Sequence, residues 1–195
     1  MGRFFFLLIS MAIACTPEGQ QPSLMQFNCD SLINRQVTLL SNQPASVKKF
    51  TRVGGSEAEA QLRSNQVKWS IELAPFQVLN RINNPIYQAN YKVTIAPDAK
   101  SNLTIKSWTA INSAPVLSLK VYYLNGSEQI KRIEAVMAES NFVFTSRQTL
   151  QLDFNLLGEN PQLEHYQISG SQMFLLGDIE DISVDCVVKP EHPEI

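Results

Sequence analysis

The segment LQLDFNL, residues 150–156, alternates strictly between apolar and polar side chains. Successive side chains of a β-strand point to opposite faces, so a period of two predicts a strand with one dry face and one wet face. The same alternation recurs at 69–73, 91–95, 116–124 and 182–188. The chain is therefore expected to consist mainly of such strands.

Shorter apolar runs add further strand candidates at residues 37–40, 47–53, 76–82, 103–111, 142–145, 163–169 and 172–176. We expect roughly ten strands from these candidate segments. Asn125-Gly126 follows the segment 116–124 and is the dipeptide that two-residue hairpins favour. The arm after it also fits a helix capped by Ser127, but a strand is preferred because the preceding segment is so clearly β. Ser56 and Glu59 have the spacing of a capping box, which predicts a short helix over 56–63.

Antiparallel sheets with one dry face must bury that face, either against a second sheet or by closing on themselves. Alternating βαβ units are absent from the pattern, so a doubly wound fold is not expected. We predict an all-β fold, an antiparallel β-sandwich of the immunoglobulin-like or jelly-roll kind over residues 24–188, with a closed barrel as second choice. Met25, Phe27 and Cys29 would share one face of its first strand, and residues 189–195 would form a flexible tail.

The composition narrows the class of protein. The chain has 195 residues, which fits one domain. Charged residues make up only 17% and the formal net charge is -2. A nucleic-acid-binding protein that relies on bulk positive charge is excluded, and so is a disordered chain.

The first fifteen residues have the features of an export signal. Arg3 precedes the apolar run Phe4–Ala14, and small residues lead to Cys15. The run is too short to cross a bilayer as a helix, which takes about 20 residues.

Ala12-Ile13-Ala14-Cys15 resembles the lipobox of bacterial lipoproteins. The resemblance implies that residues 1–14 are a signal peptide, that Cys15 carries acyl chains such as palmitate, and that residues 15–23 are a lipidated N-terminus and spacer. The protein would then be anchored to a membrane through this lipid. Because Thr16, not Asp, follows the cysteine, the resemblance also implies the bacterial outer membrane, with the domain facing the periplasm or the cell surface.

If Cys15 is acylated, Cys29 and Cys186 remain. In an oxidising compartment they are candidates for a disulfide that would close a loop of nearly the whole domain. The alternative is a pair of buried free thiols.

The sequence offers few groups for catalysis. Its two histidines are His165 and His192, and no nucleophile, zinc or nucleotide motif accompanies them. We interpret both as surface or structural histidines and predict no enzyme and no cofactor. Asp178, Glu180 and Asp181, with Asp185 nearby, form a cluster that could hold calcium. A solvated turn is the preferred reading, because the spacing of a calcium loop is absent.

The aromatic residues divide into two groups. Trp69 and Tyr91 lie in phase with apolar neighbours and are expected in the core. Trp108 and Tyr122 are the better candidates for an exposed surface that stacks on sugars. Lys48, Lys49 and Arg52 are expected to form a solvated sheet edge.

These patterns predict a lipid-anchored, non-enzymatic protein of the bacterial envelope that acts as a binding or structural module for another envelope component, most simply a protein. The alternative is a carrier of lipid or carbohydrate. The sequence does not specify the small-molecule ligand, if there is one.

Overall fold

The structure is a computed structural model that describes residues 26–124, 127–142, 144–155, 161–174 and 179–191. Its strands are β1 (Ala45–Val53), β2 (Ser56–Arg63), β3 (Tyr91–Pro97), β4 (Leu103–Ala110), β5 (Val116–Leu124), β6 (Ile130–Ser140), β7 (Phe144–Asn155), β8 (Gln162–Phe174) and β9 (Ile179–Pro190). They form one sheet in the order β2-β1-β9-β8-β7-β6-β5-β4-β3, and every neighbouring pair is antiparallel. The predicted all-β, antiparallel fold class is confirmed.

The fold is sandwich-like because a second layer covers one face of the sheet. That layer consists of the helices α1 (Cys29–Asn42), α2 (Trp69–Glu72), α3 (Ala74–Gln77) and α4 (Pro85–Gln88), with 3-10 turns at Ser64–Gln66 and Val78–Asn83. Helices thus occupy the place where a second sheet was expected. The sheet is open, since β2 and β3 lie at opposite ends of the strand order.

Helix α1 replaces the strands predicted around Cys29 and at 37–40. Its buried residues are three, one, three and four positions apart, as one side of a helix requires: Cys29, Leu32, Ile33, Gln36 and Leu40. Asn28 caps the helix, because its side chain accepts a hydrogen bond from the Ser31 N–H at 2.9 Å. Met25 lies outside the described residues.

Residues 69–83 are also helical where two strands were predicted. The buried side chains are three or four residues apart, at Trp69, Leu73, Phe76, Leu79 and Ile82. The alternation at 69–73 extends over only five residues, whereas the helical spacing continues for fourteen. The segment is helical because the helical spacing extends over more residues than the alternation does.

The helix predicted over 56–63 is strand β2. Gly54 and Gly55 have φ values of 54° and 86°, and a two-residue turn with both φ values positive joins strands of a hairpin. Val53 accordingly pairs with Ser56. On the exposed face of this hairpin Lys48 bonds Glu59 and Arg52 bonds Glu57. The predicted basic sheet edge is wrong, because β1 lies between β2 and β9 and Lys49 bonds Glu72 of α2.

The remaining strands follow the predictions closely. The arm after Asn125-Gly126 is strand β6, as preferred, although the dipeptide itself lies outside the described residues. The segment 163–169 and residues 172–174 of the second segment belong to one strand, β8, whereas residues 175 and 176 lie outside the described residues. Strand β9 continues through Lys189 to Pro190, which the prediction had placed in a flexible tail.

The core lies between the helices and the face of the sheet that they cover. The largest fully buried side chains are Trp69, Trp108, Tyr166, Phe76, Phe154, Ile33, Leu40, Leu73, Leu79, Ile82, Leu119 and Ile133. Gln36 ties α1 to the sheet inside this core: its Nε2 donates to the Pro161 carbonyl at 2.8 Å, and its Oε1 accepts from the Leu163 N–H at 2.9 Å. Among the described residues no helix has the length and apolar character needed to cross a membrane.

Candidate functional site: a groove beside helix α1

An open groove of about 830 Å³ lies between the N-terminal half of α1 and the ends of strands β3 to β6. Its volume falls within the range of small-molecule sites, about 300–1,000 Å³. The helix side contributes Phe27, Asn28, Ser31, Leu32 and Arg35, and the sheet side contributes Ile95, Thr104, Lys106, Tyr123, Leu124, Ser127, Glu128 and Ile130.

Strand register places the sheet residues on the helix-covered face. Ile95 is opposite Lys106, and Thr104 is opposite Tyr123. Directly opposite residues project to the same face of an antiparallel pair. The groove is therefore a part of the core-facing side that the helices do not fill.

Asn83 fixes the wall of the groove at Phe27. The Asn83 Oδ1 accepts from the Phe27 N–H at 3.2 Å, and its Nδ2 donates to the Phe27 carbonyl at 2.8 Å. The Phe27 ring packs against Trp108, with the ring centroids 5.9 Å apart. Both backbone groups of Phe27 are thus held by one amide side chain, and the ring has a fixed neighbour.

The charges in the groove are Arg35, Lys106 and Glu128. The Lys106 ammonium lies 4.8 Å from the centroid of the Trp108 ring, close enough for a cation–π contact, and 3.4 Å from the Gln26 carbonyl oxygen. Burial lowers the pKa of Lys106. Because two cations accompany one carboxylate beside apolar side chains, the groove suits an amphipathic ligand with an anionic group.

Tyr123 supplies a neutral hydroxyl to the groove. Burial, and secondarily the charge of Glu128, raise its pKa to about 12. The phenol is therefore protonated at neutral pH and can both donate and accept a hydrogen bond. The groove could not be expected from the sequence, because the residues around Cys29 were predicted to form a strand. Asn28 followed by helical apolar spacing was the signal that could have revealed α1.

The opposite, outer face of the sheet carries a chain of polar contacts across β5 to β9. Tyr122 donates to Glu134 at 2.8 Å, and Arg132 lies 3.6 Å from Glu134 and 2.5 Å from Asp153. Asp153 and Asp185 then bond the two ring nitrogens of His165. We call these six residues the outer-face chain.

Both nitrogens of His165 are occupied. Nδ1 lies 3.0 Å from Asp153 Oδ2, and Nε2 lies 3.1 Å from Asp185 Oδ2. Desolvation alone would lower the pKa of His165, but the two carboxylates outweigh it and the pKa is raised. A general base needs one free nitrogen to take a proton from a nucleophile. His165 therefore fits its predicted structural role, whereas His192 lies outside the described residues.

A second polar cluster lies beneath α2. Glu72 accepts hydrogen bonds from Lys49 and from the Tyr166 hydroxyl. Tyr166 is opposite Cys186, and Cys186 is opposite Lys49, so side chains from β8 and β1, on the two sides of β9, bond the same carboxylate. The cluster attaches the helical layer to the sheet.

The predicted cysteine pairing is not present. Cys29 and Cys186 are free, buried thiols, which was the alternative reading. Cys29 Sγ contacts the Phe76 carbonyl at 3.3 Å, whereas Cys186 is paired with Tyr166. The Phe76 and Tyr166 rings pack edge to face with centroids 5.9 Å apart, so aromatic contacts take the place of the predicted disulfide. Cys15 lies outside the described residues.

The acidic cluster is not gathered around one point. Asp185 bonds His165, while Asp181 and Glu180 project to opposite faces of β9 and are exposed. Asp178 lies outside the described residues. Within the described part of the chain no group of three or more His, Cys, Asp or Glu side chains is placed to hold a metal ion.

The aromatic residues also depart in part from expectation. Tyr91 and Trp69 are buried, as predicted, although Trp69 lies on a helix. Trp108 is only 1% exposed, so it cannot stack on a sugar at the surface. Tyr122 is half-buried in the outer-face chain, where burial first and then Glu134 raise its pKa to about 12.

Comparison with family models, with curated proteins and with solved structures finds no match for this chain. The site must therefore be interpreted from its own geometry.

Proposed function

We propose that this protein is a non-enzymatic binding module of the bacterial envelope, held at a membrane by acyl chains on Cys15, and that the groove beside α1 is its binding surface. The observation that carries the proposal is the groove itself. It combines a fixed aromatic wall, apolar side chains and a partly desolvated ammonium group in one open volume. Such a combination provides contact area together with orientation.

The proposed anchor would lie close to the groove along the chain. Gln26, whose carbonyl lies beside Lys106, is eleven residues after Cys15. Eleven residues span at most about 40 Å when fully extended. A lipid on Cys15 would therefore keep the groove near the membrane surface and raise its encounter rate with other components there. The resemblance of Ala12-Ile13-Ala14-Cys15 to lipoprotein signals supports the lipid anchor, and Thr16 in place of Asp after the cysteine supports the outer membrane as the destination.

The polar groups support binding more than catalysis. The ring nitrogens of His165 are engaged by two carboxylates on the outer face, away from the groove. The groove contains one carboxylate, two cations and a protonated phenol. This set can recognise the charge of a ligand.

Photo-crosslinking in membranes tests the proposal. The full chain would carry a benzophenone amino acid at Ser31, on the helix wall of the groove, or at Lys120, which is exposed on the outer face as a matched control. We expect a discrete adduct from Ser31 and none from Lys120, and we expect Cys15→Ser to release the protein from the membrane. Equal adducts at both positions, or none at Ser31, would contradict a binding role for the groove.

A second candidate is a carrier of an amphipathic lipid. The lowered pKa of Lys106 reflects its desolvation, and a desolvated ammonium beside Phe27 and Trp108 suits an anionic headgroup next to an acyl chain. In the same experiment a Ser31 adduct with the mass of a lipid would favour the carrier. Extracted protein should then yield bound lipid, less of it from Lys106→Gln than from the control Lys120→Gln.

A further inference from the structure

Strand β3 ends the strand order, and no described strand pairs with its outer side. Two hydrogen bonds at its ends fix which backbone groups point outward: the Asn90 carbonyl accepts from Ile111 N–H at 2.8 Å, and Asp98 N–H donates to the Leu103 carbonyl at 2.8 Å. The register between them is uninterrupted. Bonded and non-bonded pairs alternate in an antiparallel ladder. Even-numbered residues of β3 therefore bond β4, and odd-numbered ones direct N–H and C=O away from it.

The outward donors are the N–H groups of Tyr91, Val93 and Ile95. Pro97 is the next odd residue and has no N–H, so the row of donors ends there. The row is thus symmetric about Val93. A strand that runs antiparallel with Val93 at the centre would meet all three donors with acceptors.

We propose that the β3 edges of two copies of this chain pair antiparallel about a two-fold axis at Val93. In this register Val93 faces its own counterpart, and Tyr91 faces Ile95 of the second copy. Every outward N–H from Tyr91 to Ile95 then has an acceptor, and the same surface serves both copies, as a two-fold interface requires. The result is one continuous sheet across the dimer.

Side-chain chemistry agrees with this register. On the outer face Lys92, the one charged residue of β3, would lie opposite Thr94, so no like charges face each other. On the helix-covered face Ile95, which is 55% exposed and lines the border of the groove, would lie opposite the buried Tyr91 of the second copy.

The other sheet edge differs in charge. Strand β2 carries Glu57, Glu59 and Arg63, and most of its side chains are exposed. Charged side chains on an edge strand discourage pairing with another chain. Self-association is accordingly assigned to β3 and not to β2. It does not depend on the proposed ligand of the groove, although two tethers on one dimer would strengthen membrane attachment.

Cysteine scanning of the full chain in membranes tests the register. Residues of a hydrogen-bonded antiparallel pair have α-carbons about 5.5 Å apart, which a disulfide can bridge. After oxidation with copper–phenanthroline and air, Val93→Cys should give a disulfide-linked dimer. Lys92→Cys and Thr94→Cys should give several-fold less, because neither faces its own counterpart. The unsubstituted chain is the blank, since Cys29 and Cys186 are buried, and Glu59→Cys on β2 is the control edge.

Two further substitutions in the Val93→Cys chain separate backbone pairing from side-chain contact. Ile95→Pro removes an outward donor but no bond to β4, and it should reduce the dimer to the level of Glu59→Cys. Ile95→Ala keeps the donor and should retain the dimer. Thermal melting of both variants checks that the fold is intact.

The inference is overturned if Val93→Cys gives no linked dimer. It is also overturned if Lys92→Cys, Thr94→Cys or Glu59→Cys gives as much linked dimer as Val93→Cys or more. The same holds if Ile95→Pro folds and leaves the yield of linked dimer unchanged. A Val93→Cys adduct with a protein of another mass would also overturn it, because a foreign strand would then occupy β3. Crosslinks from Ser31 test the binding role of the groove separately. The pairing of β3 edges and the binding role of the groove can therefore be refuted independently of each other.

Discussion

Asp153 and His165 lie directly opposite each other on β7 and β8, and Asp153 Oδ2 bonds the ring Nδ1 at 3.0 Å. The carboxylate is shared with Arg132 and with Gln151, whose Nε2 donates to it at 2.7 Å. Desolvation would raise the pKa of Asp153, but the bonds to His165, Gln151 and Arg132 outweigh it and the pKa is lowered. The pair is thus stabilised in its charged form.

This pair gives the protein a pH-dependent stability. The folded-state pKa of His165 is raised above the ordinary value of 6.5, so its contribution is complete below that value and is lost as the pH rises through the folded pKa. We expect His165→Gln to reduce the free energy of unfolding most at about pH 5.5 and least at about pH 9. Urea unfolding over this range measures the difference. A deficit that is constant with pH would show that His165 contributes no charge effect.

The Glu72 contacts should contribute measurably to stability. Both side chains of the Glu72–Lys49 pair are less than a third exposed, and hydrogen bonds to charged groups contribute about 1.5–3 kcal/mol. Glu72→Ala should lower the free energy of unfolding by about 2 kcal/mol, because Lys49 and Tyr166 both lose their partner.

Glu59 is the matched control for Glu72, since its pair with Lys48 is about half exposed on both sides. Exposed pairs contribute less than about 1 kcal/mol, so Glu59→Ala should have a small effect. Urea unfolding at pH 7 compares the two variants. Similar losses would argue against a special role for Glu72.

Gly170 is required by close backbone approach. A β-carbon at this position would lie 2.4 Å from the Arg147 carbonyl oxygen of the neighbouring strand, and backbone cannot move away as a flexible side chain can. Gly170→Ala should therefore destabilise the protein by about 1–3 kcal/mol. The adjacent Ser169→Ala is the control and should change stability by less than about 0.5 kcal/mol. Chemical unfolding that finds Gly170→Ala neutral would contradict the packing at this site.

The two described thiols should be unreactive in the native protein. Burial, then Asp30, raise the pKa of Cys29 to about 12, and burial raises that of Cys186 to about 11. Thiolates are the reactive form, so maleimide labelling at pH 7 should be slow until denaturant is added. Mass analysis should then find both thiols modified without reductant. Failure to label them in denaturant alone would indicate that they form the disulfide after all.

Strands β5, β7 and β9 could be predicted because apolar and polar side chains alternate in them over seven or more residues. Strand β3 alternates over only five residues, and β4, β6 and β8 were predicted from shorter apolar runs or from the turn before them. The helices could not be predicted, because the strand assignments there were based on segments as short as five residues. Trp69, Ile71 and Leu73 alternate like a strand, and only the burial of Phe76, Leu79 and Ile82 at helical spacing reveals the longer period. After Gly54-Gly55, the spacing of Ser56 and Glu59 fitted the start of a helix, whereas the two glycines fitted a hairpin turn. The structure has the hairpin, because both glycines adopt positive φ values.

The candidate groove depended on what those helices cover. Phe27 and Tyr123 are far apart in sequence, and both line one volume only because the N-terminal half of α1 lies beside the ends of strands β3 to β6. Local patterns predict which face of a strand is dry, but not how much of that face another layer fills. The sequence predicted a structural role for His165 but not its partners. Asp153 and Asp185 become its partners through the register of β7, β8 and β9, which local patterns do not specify.

Strand β1 pairs with β9 on one side and with β2 on the other. The β1–β2 hairpin is made early in synthesis, yet the position beside β1 stays vacant until Ile179–Pro190 has left the ribosome. Pairing of such distant segments is slow, and an unfilled sheet position attracts other chains meanwhile. A truncation before Ile179 would therefore do more than shorten the sheet. It would separate the hairpin from β8 and leave both β1 and β8 with an unpaired edge that promotes aggregation.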